Sequence, residues 1–158
     1  MVLRTAYRLG RRVLPDHDGT DAVQTHMTNS RLTDPEILGI VFDTGHYLFG
    51  AGDEGPSVVE AMDRWADRIW YIHFKDNDPE LARRSRNEGW DYFQALRAGI
   101  FSELGKGGVD FRAVVHWLDE HGYDGWAVVE QDILPGMGTP KESARWLGRV
   151  AQANALVD

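Results

Sequence analysis

A chain of 158 residues, 42% hydrophobic and 27% charged, has the make-up of an ordinary globular domain with enough apolar residues for a sizeable core. Its formal net charge of −8 argues against a nucleic-acid partner, because phosphate backbones are bound through Lys/Arg surfaces. No run approaches the roughly 18 apolar residues of a membrane span, and with no cysteine any metal must be held by His, Asp and Glu. A small molecule is the expected partner, with no nucleic acid and no membrane. The N-terminus lacks the apolar core of a signal peptide, so the expected location is the cytoplasm.

Along the chain a strand is followed by a helix, repeatedly. Arg11 to Pro15 reads as a short strand that runs into the polar Asp16-His17-Asp18-Gly19-Thr20. Leu38-Gly39-Ile40-Val41-Phe42 is nearly continuous apolar sequence, as expected for a parallel strand covered on both faces, and ends at Asp43-Thr44-Gly45-His46. From Ser57 to Arg68, Val58, Met62 and Trp65 recur at helical spacing after Pro56, with Glu60 near the start. Ile69 to Ile72 gives a third strand, ending at His73-Phe74-Lys75-Asp76. A charged stretch over about residues 78–102, carrying Trp90, Tyr92, Phe93 and Leu96, reads as a helical insertion. Val109-Asp110-Phe111 opens a further helix that stops at His121-Gly122, where glycine suits a C-cap. Trp126 to Val129 is the last strand, ending at Glu130-Gln131-Asp132. Thr139-Pro140-Lys141-Glu142 has the composition of a capping box opening a closing helix through about Ala153.

Strands alternating with helices at this spacing argue for βαβ units with parallel strands and right-handed crossovers, in one domain over residues 1–158. Every polar cluster falls at the carboxyl end of a strand, where both barrels and open α/β sheets do their chemistry. Periodicity leaves both architectures open.

Four blocks taken in order narrow the choice: Leu38 to His46 (LGIVFDTGH), Tyr71 to Asp76 (YIHFKD), Glu103 to Phe111 (ELGKGGVDF) and Gly122 to Asp132 (GYDGWAVVEQD). Together they resemble the xylose isomerase-like superfamily of sugar isomerases and epimerases. The last block, followed by Pro135 and the Gly-Thr-Pro-x-Glu-Ser start of a helix, is similar to the inosose (2-keto-myo-inositol) dehydratases. The resemblance runs from about Val13 onward. It implies a (β/α)8 TIM barrel of which about the last four βα units are present, since such barrels take about 250 residues. Met1 is then expected to be an internal start. Two departures stand out: relatives carry two histidines before the Gly-Thr, where this chain offers His17 alone, and an arginine commonly follows the His-x-Lys-Asp block, where Asn77 and Asp78 stand here.

Each candidate has a structural reading beside the functional one. Asp43 follows an apolar strand, where a carboxylate must be solvated, paired or bound to a metal, although an aspartate there also serves as a helix cap. His46 reads equally as a satisfied turn histidine. His73 lies between apolar residues, where a histidine is often a satisfied core group. Glu130 is the sharpest signal, because glutamate at the end of a core strand has few structural uses. His26, His116 and His121 are given no role. The resemblance implies His17, Asp43, His73 and Glu130 as metal ligands, one from each of four successive strand ends. Two carboxylates and two imidazoles suit a divalent ion, manganese or cobalt first, with zinc, magnesium or iron as further candidates. The same resemblance implies Glu130 and Lys75 as catalytic groups, with His46, Asp132 and Asp76 contacting a small polyol or ketose.

The expected function is a metal-dependent lyase dehydrating inosose through an enolate, with inositol catabolism as its setting. A ketose or sugar-phosphate isomerase or epimerase of the same fold is the alternative. A non-catalytic barrel fragment is the reading from another class. Apurinic endonucleases share the barrel but are disfavoured by the acidic charge. The first and last strands of a half barrel would be open parallel edges, so a homodimer completing the barrel is a further expectation.

Overall fold

The computed structural model describes residues 12–14, 34–52, 55–132 and 134–155. Its principal sheet has four parallel strands: β1 (Arg12–Leu14), β2 (Leu38–Asp43), β3 (Ile69–Phe74) and β6 (Trp126–Val129), in the order β1-β2-β3-β6. Each strand lies beside its predecessor in the chain, as around a barrel, whereas a doubly wound sheet reverses its order at a switch point. The sheet is therefore four strands of a partial TIM barrel. His17 and His26 lie outside the described residues.

The β2 sequence explains its central place. Its apolar run is hydrogen-bonded on both edges, and Ile40 and Phe42 are buried. Between β2 and β3 run helices α1 (Thr44–Ala51) and α2 (Val58–Arg64) and a 3-10 turn (Ala66–Arg68). The expected single helix over Ser57 to Arg68 is thus split: Trp65 ends α2 and the 3-10 turn completes the connection. Helix α1 was not expected at all, because Thr44 to Ala51 shows no polar face; five of its residues are buried.

After β3 the chain forms β4 (Asp76–Asn77), α3 (Pro79–Glu88), α4 (Tyr92–Arg97) and β5 (Phe101–Ser102). Phe101, expected within the helical insertion, is instead a strand residue: β5 pairs antiparallel with β4, which closes the insertion at its base. Asp78 caps α3 with Pro79 at its first position, and Gly89 ends it in the left-handed conformation. Helix α5 (Phe111–Glu120) leads to β6, and α6 (Pro140–Ala155) closes the described chain. The expected Thr139 cap is present, with the Glu142 amide donating to the Thr139 hydroxyl at 3.2 Å.

The main core lies between the sheet and helices α2 and α5, with Phe42, Met62, Ile72, Phe74, Val114 and Trp117 among its buried residues. A smaller cluster of Phe49, Ala82, Ala95, Ile100 and Phe101 fastens the insertion. No described helix is long and apolar enough to cross a membrane.

Candidate metal centre

Register brings the strand-end residues together. Asp43 is level with His73 across the β2–β3 ladder, and Phe74 is level with Val129 across β3–β6. Glu130 therefore leaves β6 beside the end of β3, where its amide donates to the Phe74 carbonyl at 3.0 Å. One ligand atom from each of Asp43, His73 and Glu130 lies within 4.8 Å of the others. The His73 Nδ1 is 3.6 Å from the Asp43 Oδ2 and in direct contact with the Glu130 Oε2.

Asp43 divides its two oxygens. Its Oδ1 accepts from the His46 amide at 2.8 Å and caps α1. Its Oδ2 is buried and makes no close hydrogen bond, facing the His73 Nδ1 at 3.6 Å and the Lys75 Nζ at 3.9 Å. A cation bound to the cluster would give this oxygen the close partner that these longer ion pairs do not. The donor set of two carboxylates and one imidazole suits manganese, cobalt, iron or zinc. The three side chains thus fit a divalent ion.

Lys75 is buried in the middle of this charge, 1% exposed. Its Nζ donates to the Glu130 Oε1 and the Asp132 Oδ2, each at 2.8 Å, and lies 3.0 Å from the His46 Nε2 and 3.9 Å from the Asp43 Oδ2. Burial alone would favour loss of the ammonium proton, but Asp43, Asp132 and Glu130 outweigh it and raise the pKa. Lys75 is a cation throughout the neutral range. His73 follows the same logic: burial opposes the imidazolium, while hydrogen bonds to Asp43 and Glu130 push its pKa up to about 9. Glu130 is its counterpart. The His73 hydrogen bond, against the opposing effect of burial and with help from Lys75, holds its carboxyl well below the usual carboxylate range.

Sequence reading missed Thr44, which fixes the Lys75 backbone. Its hydroxyl donates to the Lys75 carbonyl at 2.7 Å and accepts from the Lys75 amide at 3.0 Å. It missed the aromatic surround as well. The Lys75 Nζ sits 4.8 Å from the Phe101 ring centroid, and His46 lies 5.2 Å from Phe101 and 6.0 Å from Tyr92. Phe101 could have been found only by recognising β5, whose two residues are too short to leave a periodicity.

Asp76 corrects an expectation. Proposed from sequence as a substrate contact, it has no solvent exposure, and four backbone amides occupy its carboxylate. Oδ1 accepts from Asn77 and Val109, and Oδ2 from Gly105 and Gly107, at 2.9 to 3.0 Å. Burial nevertheless raises its pKa against these four hydrogen bonds. Asp76 holds the loop that leads into α5. That is why the loop reads Gly-Lys-Gly-Gly: a side chain at Gly107 would collide with the Asp76 carboxylate and the Asn77 carbonyl, and Gly105 needs φ +81°.

The chain matches the xylose isomerase-like TIM barrel family over residues 19–150. It is 34% identical to an inosose dehydratase of Geobacillus thermodenitrificans over 85% of this chain and 45% of that protein. It is 37% identical to one of Bacillus velezensis over 81% of this chain and 42% of that protein. It therefore spans about half the length of the curated relatives it matches. Its fold is similar to that of a xylose isomerase domain protein from Planctomyces limnophilus, with a TM-score of 0.57 at 22% identity over 92% of this chain and 45% of that one. It is equally similar to a D-tagatose 3-epimerase-like protein, with a TM-score of 0.58 at 18% identity over 98% and 53%. Four parallel strands in barrel order, with an acid, an imidazole and a second acid at three successive strand ends, agree with that match: the chain belongs to the xylose isomerase-like TIM barrel family.

Proposed function

We propose that this chain carries the metal centre of a lyase that dehydrates inosose, with Asp43, His73 and Glu130 as ligands of a divalent ion, manganese or cobalt first. The observation that carries the reading is the convergence of ligand atoms from these three side chains to within 4.8 Å of one another, in a chain about one-third identical to inosose dehydratases. His17 is kept as a candidate fourth ligand. When bound, such an ion supplies the Lewis acidity that makes a proton beside a ketone removable.

Dehydration removes that proton and breaks the bond to the neighbouring hydroxyl, which leaves as water. Glu130 is proposed as the base. Its low pKa suits a ligand better than a base, but its largest cause is the His73 hydrogen bond. With His73 engaged as a ligand the Lys75 ammonium would still hold that pKa down, so Glu130 could take only a proton already made acidic. Lys75 is proposed to donate to the departing hydroxyl or to the enolate oxygen, being a buried ammonium 2.8 Å from Glu130. Asp132, at the exposed end of the same hydrogen-bonded chain, and His46 are proposed to hold substrate hydroxyls.

The test is to incubate the chain with manganese and 2-keto-myo-inositol and to follow the absorbance of the dione product. Turnover supports the lyase. Turnover of a ketose instead of the inosose would reject it for the isomerase or epimerase of the same fold. Manganese binding with turnover of neither would assign the chain to the non-catalytic reading.

A further inference from the structure

The helical insertion places aromatic rings beside the charged cluster in a way the core does not require. An Asp91–Gln94 capping box fixes the start of α4, so Tyr92 and Phe93 are its first two residues. Tyr92 lies nearly parallel to His46, with ring planes 18° apart, and touches the insertion core through Phe101. Its phenol is also within electrostatic reach of Lys75, Asp132, Glu130 and Asp43. Phe93 stands edge-on to Tyr92 at 5.6 Å and is 64% exposed, outside both core clusters. Phe93 lies mostly in solvent and continues the ring surface that Tyr92 begins beside His46.

We propose that Tyr92, extended by Phe93, is a specificity-determining wall that takes the C–H face of a ring-shaped polyol while the ring's hydroxyls meet Asp132 and the carboxylate–imidazole cluster. This rests on the reading of the cluster as a polyol site and adds to it a preference for cyclic over open-chain substrates. The physical basis is division of labour. Ligand pockets commonly combine flat apolar surface with a few placed polar groups; of the rings near the cluster, Phe101 and Tyr71 are buried, whereas Tyr92 and Phe93 are at least partly exposed. A cyclitol offers a rigid face of axial hydrogens to such a surface, whereas an open-chain ketose must freeze several rotors to do the same.

The experiment uses the whole chain loaded with manganese and measures dissociation constants for 2-keto-myo-inositol and for erythrulose, a ketose too short to cyclise, together with that for manganese itself. Tyr92→Ala is expected to weaken inosose binding about tenfold, to leave erythrulose within about twofold and to leave manganese unchanged. Tyr92→Phe, which keeps the ring, is expected to restore inosose binding to within about threefold of the parent. Phe93→Ala, at an exposed position that folding does not need, is expected to weaken inosose about threefold and serves if Tyr92→Ala fails to fold. Unchanged inosose affinity in these variants, or equal weakening of both sugars, would overturn the wall while leaving the polyol site standing. A parent chain that binds manganese but no inosose would overturn both.

Discussion

At the scale of single residues, Asp43 shows why a structural and a functional reading need not compete: one oxygen caps α1 while the other faces His73 and Lys75 in the cluster. Glu130 separates the two readings more cleanly. Glu130→Gln keeps the size but removes a charged ligand and a counter-charge of buried Lys75, so manganese affinity is expected to fall about a hundredfold or more by calorimetry, with the fold retained but the thermal transition lowered. Unchanged affinity would remove Glu130 from the ligand set. Asp76 belongs to folding instead. Asp76→Ala takes the acceptor from four amides, two of them (Asn77 and Val109) buried, and is expected to cost about 3 kcal/mol in denaturant unfolding, with Asp76→Asn milder because one oxygen remains. A loss under about 1 kcal/mol would contradict the latch. That Asp43, His73 and Glu130 stand together at neighbouring strand ends was legible in the sequence, because each directly follows or closes an apolar strand. Asp76 was misjudged for the same reason: a strand-end carboxylate can equally be satisfied by a glycine loop that is distant in sequence, and no local pattern distinguishes the two.

At the scale of elements, the strands were readable and their connections less so. β2 and β3 declare themselves through apolar runs buried in a parallel sheet, whereas α1 is apolar nearly all round and has no amphipathic period to detect. The β4–β5 pair consists of four residues, two from each side of the insertion, too few to leave a periodicity. The cap of α2 was legible in part, through Glu60. There the Ser57 hydroxyl accepts from the Glu60 amide, and the Glu60 carboxylate accepts from the Ser57 amide. Ser57→Ala is expected to cost about 1 kcal/mol. Its pH dependence has a definite sign. The hydrogen bonds from the Ser57 backbone and side chain lower the Glu60 pKa, so its contribution is present above the ordinary value of 4.5 and is lost as pH falls through the lower folded value. The difference in melting temperature between parent and Glu60→Ala should therefore shrink below pH 4.5. A difference that grows on acidification would contradict the capping box.

At the scale of the whole molecule, β6 is hydrogen-bonded to β3 alone among the described strands, and Trp126 at its start is 60% exposed. An open parallel edge beside an exposed indole is a template for association, so sedimentation is expected to show self-associated chain, with Trp126→Lys shifting it towards monomer. A compact parent monomer that unfolds cooperatively would contradict this expectation. The half barrel was legible because strand spacing and strand-end chemistry repeat along the chain; the open edge follows from the same repeat. The central claim is that three strand ends of this arc meet on one divalent ion. Anomalous scattering from a crystal grown with manganese tests it most directly. The expected result is one strong peak about 2.0–2.3 Å from the Asp43 Oδ2, a Glu130 oxygen and a His73 ring nitrogen together. A peak elsewhere, or full manganese occupancy in a crystal of Glu130→Gln, would contradict it.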